Sequence, residues 1–314
     1  MPRMYRAVYS ETTISKLTML NNSIQDELKS LLRFPLHYFV LVIIIMLWAS
    51  TSCWAVERRA VRDDGLVATY YYKKDSTQQP PVIIFGGSSG GNFYDDYQNY
   101  LENLVDCGYS VLSLAYFDYS SKGELPNKLR HVPLEYFKKA MDWMEDQPQT
   151  RKGQFAVIGN SRGGEAALLL AIQYPAVSAV IAIVSSAYVG GAYDKKREVS
   201  GSAWTLEGRE IPYVDYQKAV ANYDPWWAII NQEEEVEPFA IPVEKMSAAV
   251  LLLSGEKDRI WPSTEMSKRI VRRLKENQYN YPFQHISYDA GHNIRVESWP
   301  DLLQFLKKHY PLEL

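Results

Sequence analysis

Ser161 lies in Gly159-Asn160-Ser161-Arg162-Gly163-Gly164-Glu165, where the apolar run Phe155-Ala156-Val157-Ile158 gives way to a second apolar run, Ala166 to Ile172. A serine in that setting is a candidate nucleophile for acyl transfer. Glycines at both flanks allow the sharp strand-to-helix turn that lifts a hydroxyl clear of a sheet. The helix N-terminus behind the turn favours negative charge developing on a substrate oxygen. The backbone N–H of Arg162, the next residue, is the first expected oxyanion donor.

A serine hydroxyl is a poor nucleophile until a base takes its proton, and the base needs a carboxylate to hold its tautomer. Asp258 lies five residues beyond Leu253, in the loop after the apolar run Val250 to Leu253. Glu256 is the rival acid; Asp258 is preferred because the added length lets the chain turn back toward the serine. Among five histidines, His37 lies in an apolar N-terminal segment, His131 precedes a helix, His285 falls inside a strand and His309 near the end of the last helix. His292 remains. It follows Asp289-Ala290-Gly291, just past the strand expected over Phe283 to Tyr288. The order serine, acid, histidine is that of α/β-hydrolases. A second oxyanion donor is expected in Gly86-Gly87-Ser88-Ser89-Gly90-Gly91: Ser88 is assigned, with Ser89 the near alternative. No Lys-Ser/Thr follows that loop and its glycine spacing does not fit a dinucleotide fingerprint, so it does not read as a phosphate cradle. This chemistry calls for no cofactor and no metal.

The elements that must carry these residues read as strand, turn and helix in alternation. Leu66 to Tyr72, Val82 to Phe85, Val111 to Leu114, Phe155 to Ile158, Val180 to Val184 and Val250 to Leu253 are short strands, most of them apolar throughout, as in a parallel sheet covered on both faces. Leu134, Phe137, Met141 and Met144 keep helical spacing. The pattern predicts an α/β doubly wound domain over residues 57–314. Between Ser186 and Ile241 the rhythm breaks, and residues 186–245 are expected to form a cap entering near the site. Trp204, Trp226 and Trp227 would either wall a substrate tail or anchor the cap to the body. Lys195-Lys196-Arg197 and Glu233-Glu234-Glu235 read as solvated loop surface.

The chain has 314 residues, 46% apolar and 23% charged, enough for a sizeable core. A net charge of −3 with no basic stripe leaves a nucleic-acid role without an electrostatic footprint. Two cysteines, Cys53 and Cys107, make neither a metal cluster nor a disulfide framework. Cys107 is expected to be a small buried hydrophobe. Residues 34–56 contain the nearly unbroken apolar run Leu36 to Trp48, a membrane anchor or an export signal whose sidedness the flanking charges do not fix. Residues 1–33 are an extension with apolar residues at helical spacing.

Several stretches together resemble the C-terminal catalytic domain of the bile acid-CoA:amino acid N-acyltransferase and acyl-CoA thioesterase family, from about Gly65 to Lys308. They are Gly87-Ser88-Ser89-Gly90-Gly91, Leu114-Ala115-Tyr116-Phe117, Val132 to Phe137, the segment Gly159 to Glu165, Ser202-Ala203-Trp204-Thr205, Ile241-Pro242-Val243 and Trp261-Pro262-Ser263. The resemblance implies an α/β-hydrolase with nucleophile Ser161, acid Asp258 and base His292, an acyl-CoA substrate and an acyl-enzyme intermediate. Family members often carry an N-terminal immunoglobulin-like β-sandwich, whereas here about ten residues separate the apolar segment from the first expected core strand. The nucleophile is serine where the amino acid-conjugating members look to use cysteine, which favours water as the acyl acceptor. The alternative readings are an exported or membrane-anchored carboxylesterase, an acyl-CoA:amino acid N-acyltransferase, and a non-catalytic binding module that kept the fold.

Overall fold

Eleven strands are described, eight of them in one sheet. In chain order they are β1 (Val56–Val61), β2 (Val67–Lys73), β3 (Pro81–Phe85), β4 (Ser110–Ala115), β5 (Val132–Pro133), β6 (Phe155–Asn160), β7 (Val177–Ile183), β8 (Trp204–Leu206), β9 (Arg209–Glu210), β10 (Ala249–Gly255) and β11 (Phe283–Tyr288). The large sheet runs β1-β2-β4-β3-β6-β7-β10-β11, and β5-β8-β9 form a small second sheet. The first two strands pair antiparallel with their neighbours, and from β4 to β11 every pairing is parallel. The computed structural model describes residues 55–312 apart from 77, 121–122, 195, 197–198 and 216–232. Residues 56–314 constitute one compact unit.

Helices cover both faces, as strands apolar on both sides require. The helices α2 (Leu134–Glu145), α3 (Arg162–Gln173) and α4 (Ser263–Glu276) bury Met141, Leu168 and Ile270 in one core layer. On the opposite face α1 (Gln98–Asp106) and α5 (Arg295–His309) bury Leu104, Leu302 and Phe305. The expected doubly wound architecture is therefore present. Strands β3, β4 and β10 are buried at every residue, which is why continuous apolar runs marked them.

Some expectations change. Val56–Val61, in which Val56 closes the segment read as an anchor or signal, is a strand on the sheet's edge, with Arg58 and Arg59 exposed. A strand of sequence VERRAV has no apolar run to betray it, and edge strands tolerate outward charge because it deters pairing with other chains. Cys107 is exposed rather than buried. It caps the C-terminus of α1, where Gly108 at φ +99° turns the chain into β4. Among the described residues no helix is long and apolar enough to cross a membrane. The N-terminal extension, nearly all of the apolar segment 34–56, Trp226, Trp227, Lys195 and Arg197 lie outside the described residues.

Within the insertion, the described residues join the body rather than stand apart from it. Val189, Trp204 and Ile241 belong to the same core layer as α2 and α3, and β8 pairs with β5. Lys196, Glu234 and Glu235 are exposed, as expected of solvated loop surface.

Candidate active site

Ser161 takes φ 56° and ψ −118° between β6 and α3. A non-glycine residue held there costs on the order of 1–3 kcal/mol and persists only where its surroundings over-determine it. Here they do. The Ser161 N–H donates to Ile183 O at 2.7 Å, and the Gly164 N–H donates to Ser161 O at 2.9 Å. The strain therefore falls on the serine itself, while Gly159 and Gly163 serve by lacking side chains. A Cβ on Gly159 would sit 2.0 Å from the Gly163 carbonyl oxygen, and one on Gly163 would sit 2.3 Å from Gly86 O. The loop after β3 is packed as closely: a Cβ on Gly87 would lie 2.7 Å from Ser161 Cβ.

Asp258 and His292 come from neighbouring strand ends. His292 Nδ1 lies 2.8 Å from Asp258 Oδ2, and the Asp258 side chain is only 1% exposed. Its other oxygen, Oδ1, accepts from the Ile260 N–H at 3.0 Å and the Trp261 N–H at 3.1 Å. Three donors thus converge on one buried carboxylate. The two loops are laced together, because the Glu256 and Lys257 N–H groups donate to Tyr288 O and Ala290 O, each at 2.9 Å. A Cβ on Gly255 would stand 2.1 Å from Gly291 O, so the close approach needs glycine. The rival acid Glu256 instead accepts from the Ser287 hydroxyl. His131 faces Glu210, and His285 Nε2 meets Ser254 Oγ at 2.7 Å. Burial lowers the His285 pKa from its ordinary value.

Ser161 and His292 line one cavity of about 260 Å³, with Gly87, Ser88 and Ser89 on the wall. No described residue of the insertion lines it. The glycine-rich loop is fixed by two tyrosines that sequence reasoning left without a role: Tyr116 Oη donates to Gly86 O at 2.9 Å, and Tyr119 Oη to Ser88 O at 3.0 Å. Burial pushes the Tyr119 hydroxyl up to about 12 and the Tyr116 hydroxyl higher still, so both remain protonated donors. The peptide on each side of the Ser88 N–H is thereby held by its carbonyl.

Beneath the elbow lies a buried ion pair. Arg162 Nη1 is 3.2 Å from Glu165 Oε2, and Arg162 Nη2 donates to Gly190 O at 3.0 Å and Gly191 O at 2.9 Å. Glu165, fully buried, accepts from the Gly190 N–H at 2.7 Å and from Trp204 Nε1 at 2.6 Å. Trp204, 0% exposed, is thus an anchor and not a wall of the cavity. Burial holds the Glu165 pKa above the usual carboxylate range, with Arg162 pulling it back. Removing one partner of such a pair strands the other charge, at a cost of about 3–5 kcal/mol. Arg162→Met should show that loss in denaturant unfolding at pH 8. The folded chain binds the Glu165 proton more tightly than the unfolded chain, so this group's stability contribution falls as pH rises above about 4.3. Without Arg162 that folded-state pKa rises further, so the variant's deficit shrinks toward pH 5. Arg162→Met/Glu165→Gln should recover part of it at pH 8.

The eight-stranded sheet, mostly parallel and carrying a serine at a strand-to-helix elbow, defines the protein as an α/β-hydrolase in fold. Residues 132–308 match the family described as BAAT / Acyl-CoA thioester hydrolase C terminal, and the chain belongs to that family. The chain is 29% identical over 195 residues to acyl-coenzyme A thioesterase 1 of Rattus norvegicus, covering 62% of this chain and 44% of that protein. It is 28% identical to mitochondrial acyl-coenzyme A thioesterase 2 of Homo sapiens, covering 62% and 39%. The match therefore spans less than half the length of these relatives. Among solved structures, a Mycobacterium tuberculosis puromycin-hydrolyzing peptidase superposes with TM-score 0.59 at 17% identity, over 83% of this chain and 40% of that one. The Pyrococcus furiosus esterase Pf2001 superposes with TM-score 0.54 at 17% identity, over 82% and 93%. These are likenesses of fold.

Proposed function

We propose that the protein is a serine hydrolase that cleaves acyl-CoA thioesters to free acid and CoA. His292 Nε2 takes the Ser161 proton as Oγ attacks the thioester carbonyl, and the Arg162 and Ser88 N–H groups hold the oxyanion that forms. The C–S bond then breaks, and the leaving thiolate takes the proton from His292. Water, deprotonated by the same imidazole, attacks the acyl-serine; the bond between the acyl carbon and Oγ breaks, Ser161 takes the proton back from His292, and the acid is released. Asp258 keeps the proton on Nδ1 and stabilises the imidazolium. The observation that carries this reading is that His292, paired through Nδ1 with Asp258, stands on the wall of the cavity that the strained Ser161 also lines. Membership of a family whose relatives are named acyl-coenzyme A thioesterases supplies the substrate class.

A panel of acyl-CoAs and p-nitrophenyl esters, with Ser161→Ala as control, tests it. Acyl-CoA cleavage lost in the variant is expected; turnover of simple esters with every acyl-CoA untouched overturns it. The apolar run Leu36 to Trp48 favours a second reading, a carboxylesterase anchored to or exported across a membrane and using the same three residues. Protease protection of the C-terminus in intact membranes separates the two, since an exported domain does not meet cytosolic acyl-CoA.

A further inference from the structure

Arg295 stands on the wall of the same cavity as Ser161 and His292. It opens α5, so it sits at the positive end of a fifteen-residue helix. Its guanidinium carbon lies 3.4 Å from the centroid of the Tyr97 ring, 5.3 Å from that of Phe93 and 5.9 Å from that of Tyr100. The aromatic faces hold the cation in place without neutralising it. Of the two acids in the adjoining turn, Asp95 accepts instead from the Thr69 and Tyr71 hydroxyls, and Asp96 is exposed. Among the described residues no carboxylate forms an ion pair with Arg295.

A guanidinium in contact with a ring face keeps edge N–H donors suited to carboxylate or phosphate, and little side-chain freedom is left to lose on binding. A cation kept unneutralised at the wall of a reaction cavity is placed to meet a counter-charge that arrives with the substrate. We infer that Arg295 is an anion subsite, receiving a carboxylate or phosphate of the substrate remote from the scissile carbonyl and so selecting substrates that carry such a group. The inference rests on the reading of Ser161 as the nucleophile. The anionic group has two possible sources: a terminal carboxylate on the acyl chain, or a phosphate of CoA.

Four thioesters separate the sources: butyryl-CoA, succinyl-CoA, and the butyryl and succinyl thioesters of N-acetylcysteamine, which lack the nucleotide. In Arg295→Met the kcat/KM ratio of the charged substrate to its neutral counterpart should fall about 10- to 100-fold, as expected for lost charge-assisted hydrogen bonds. Arg295→Lys, which keeps the charge but not the fork, should recover part of it. A fall in the succinyl-to-butyryl ratio assigns the acyl carboxylate; a fall in the CoA-to-cysteamine ratio assigns the phosphate. If no ratio changes, or all four substrates decline alike, the subsite is refuted. If the wild type cleaves none of the four, the thioesterase reading fails separately, and protection of Ser161 from a neutral fluorophosphonate becomes the readout. Protection by succinate or CoA that weakens in Arg295→Met supports the subsite. Equal protection in both proteins, or no labelling at all, refutes it.

Discussion

Ser161→Ala and His292→Ala should each lower kcat on an acyl-CoA by about 10⁶, and the double variant should lose no more than either alone. The reason lies in how the two groups act. In the proposed mechanism the imidazole serves only by taking and returning the serine proton, so once the hydroxyl is gone the base has nothing to activate. Conversely, an unassisted hydroxyl is nearly inert at neutral pH. Residual turnover of about 10³–10⁴ over water should survive in all three variants, because the proposed oxyanion donors, the Arg162 and Ser88 amides, are left in place. Single-turnover kinetics on the three proteins would measure it. Independent losses that multiply in the double variant would show that His292 does not work through Ser161.

Asp258→Asn should cost about 10⁴ in kcat with little change in unfolding free energy. The carboxylate accepts on both oxygens, from Ile260 and Trp261 through Oδ1 and from His292 through Oδ2. An asparagine can keep its Oδ1 on the two backbone amides. It must then present Nδ2–H to His292 Nδ1, which forces the ring proton onto Nε2, and an imidazole protonated at Nε2 cannot take a proton from serine. The damage is to the tautomer rather than to the loop. Asp258→Ala would behave differently, because it removes the acceptor of two backbone amides, the Trp261 one part-buried, and should loosen the loop as well. Comparing the two variants by kcat and by denaturant unfolding distinguishes a tautomer effect from a folding effect.

The core of this arrangement was legible because it is local. A glycine-flanked serine after a buried strand needs no distant partner to be recognised, and the continuous apolar runs of β3, β4, β6 and β10 mark a parallel sheet directly. Chain order and positions past β10 and β11 singled out Asp258 and His292, which the structure brings within 2.8 Å of each other. What escaped depends on contacts far apart in sequence. Glu165 lies inside the recognised motif, three residues from Arg162, yet its burial is also compensated by Gly190 and Trp204, 25 and 39 residues further on, and no spacing rule announces those partners. Tyr116 and Tyr119 hold the glycine-rich loop from about thirty residues away. Strand β1 was hidden by its charges. Gly159 and Gly163 were read for backbone freedom, whereas the structure needs their missing side chains and leaves the unusual torsion to Ser161.

The proposed base follows the strand at the border of the sheet, and the proposed acid follows the strand next to it. Among the described residues strand β11 pairs only with β10 and is partly exposed along its length, whereas Ser161 follows a strand in the interior of the sheet. Local opening starts where backbone is solvated and contacts are few. Peeling one outer ribbon would carry His292 away while the interior stays assembled, so warming should silence this chemistry well before the protein melts.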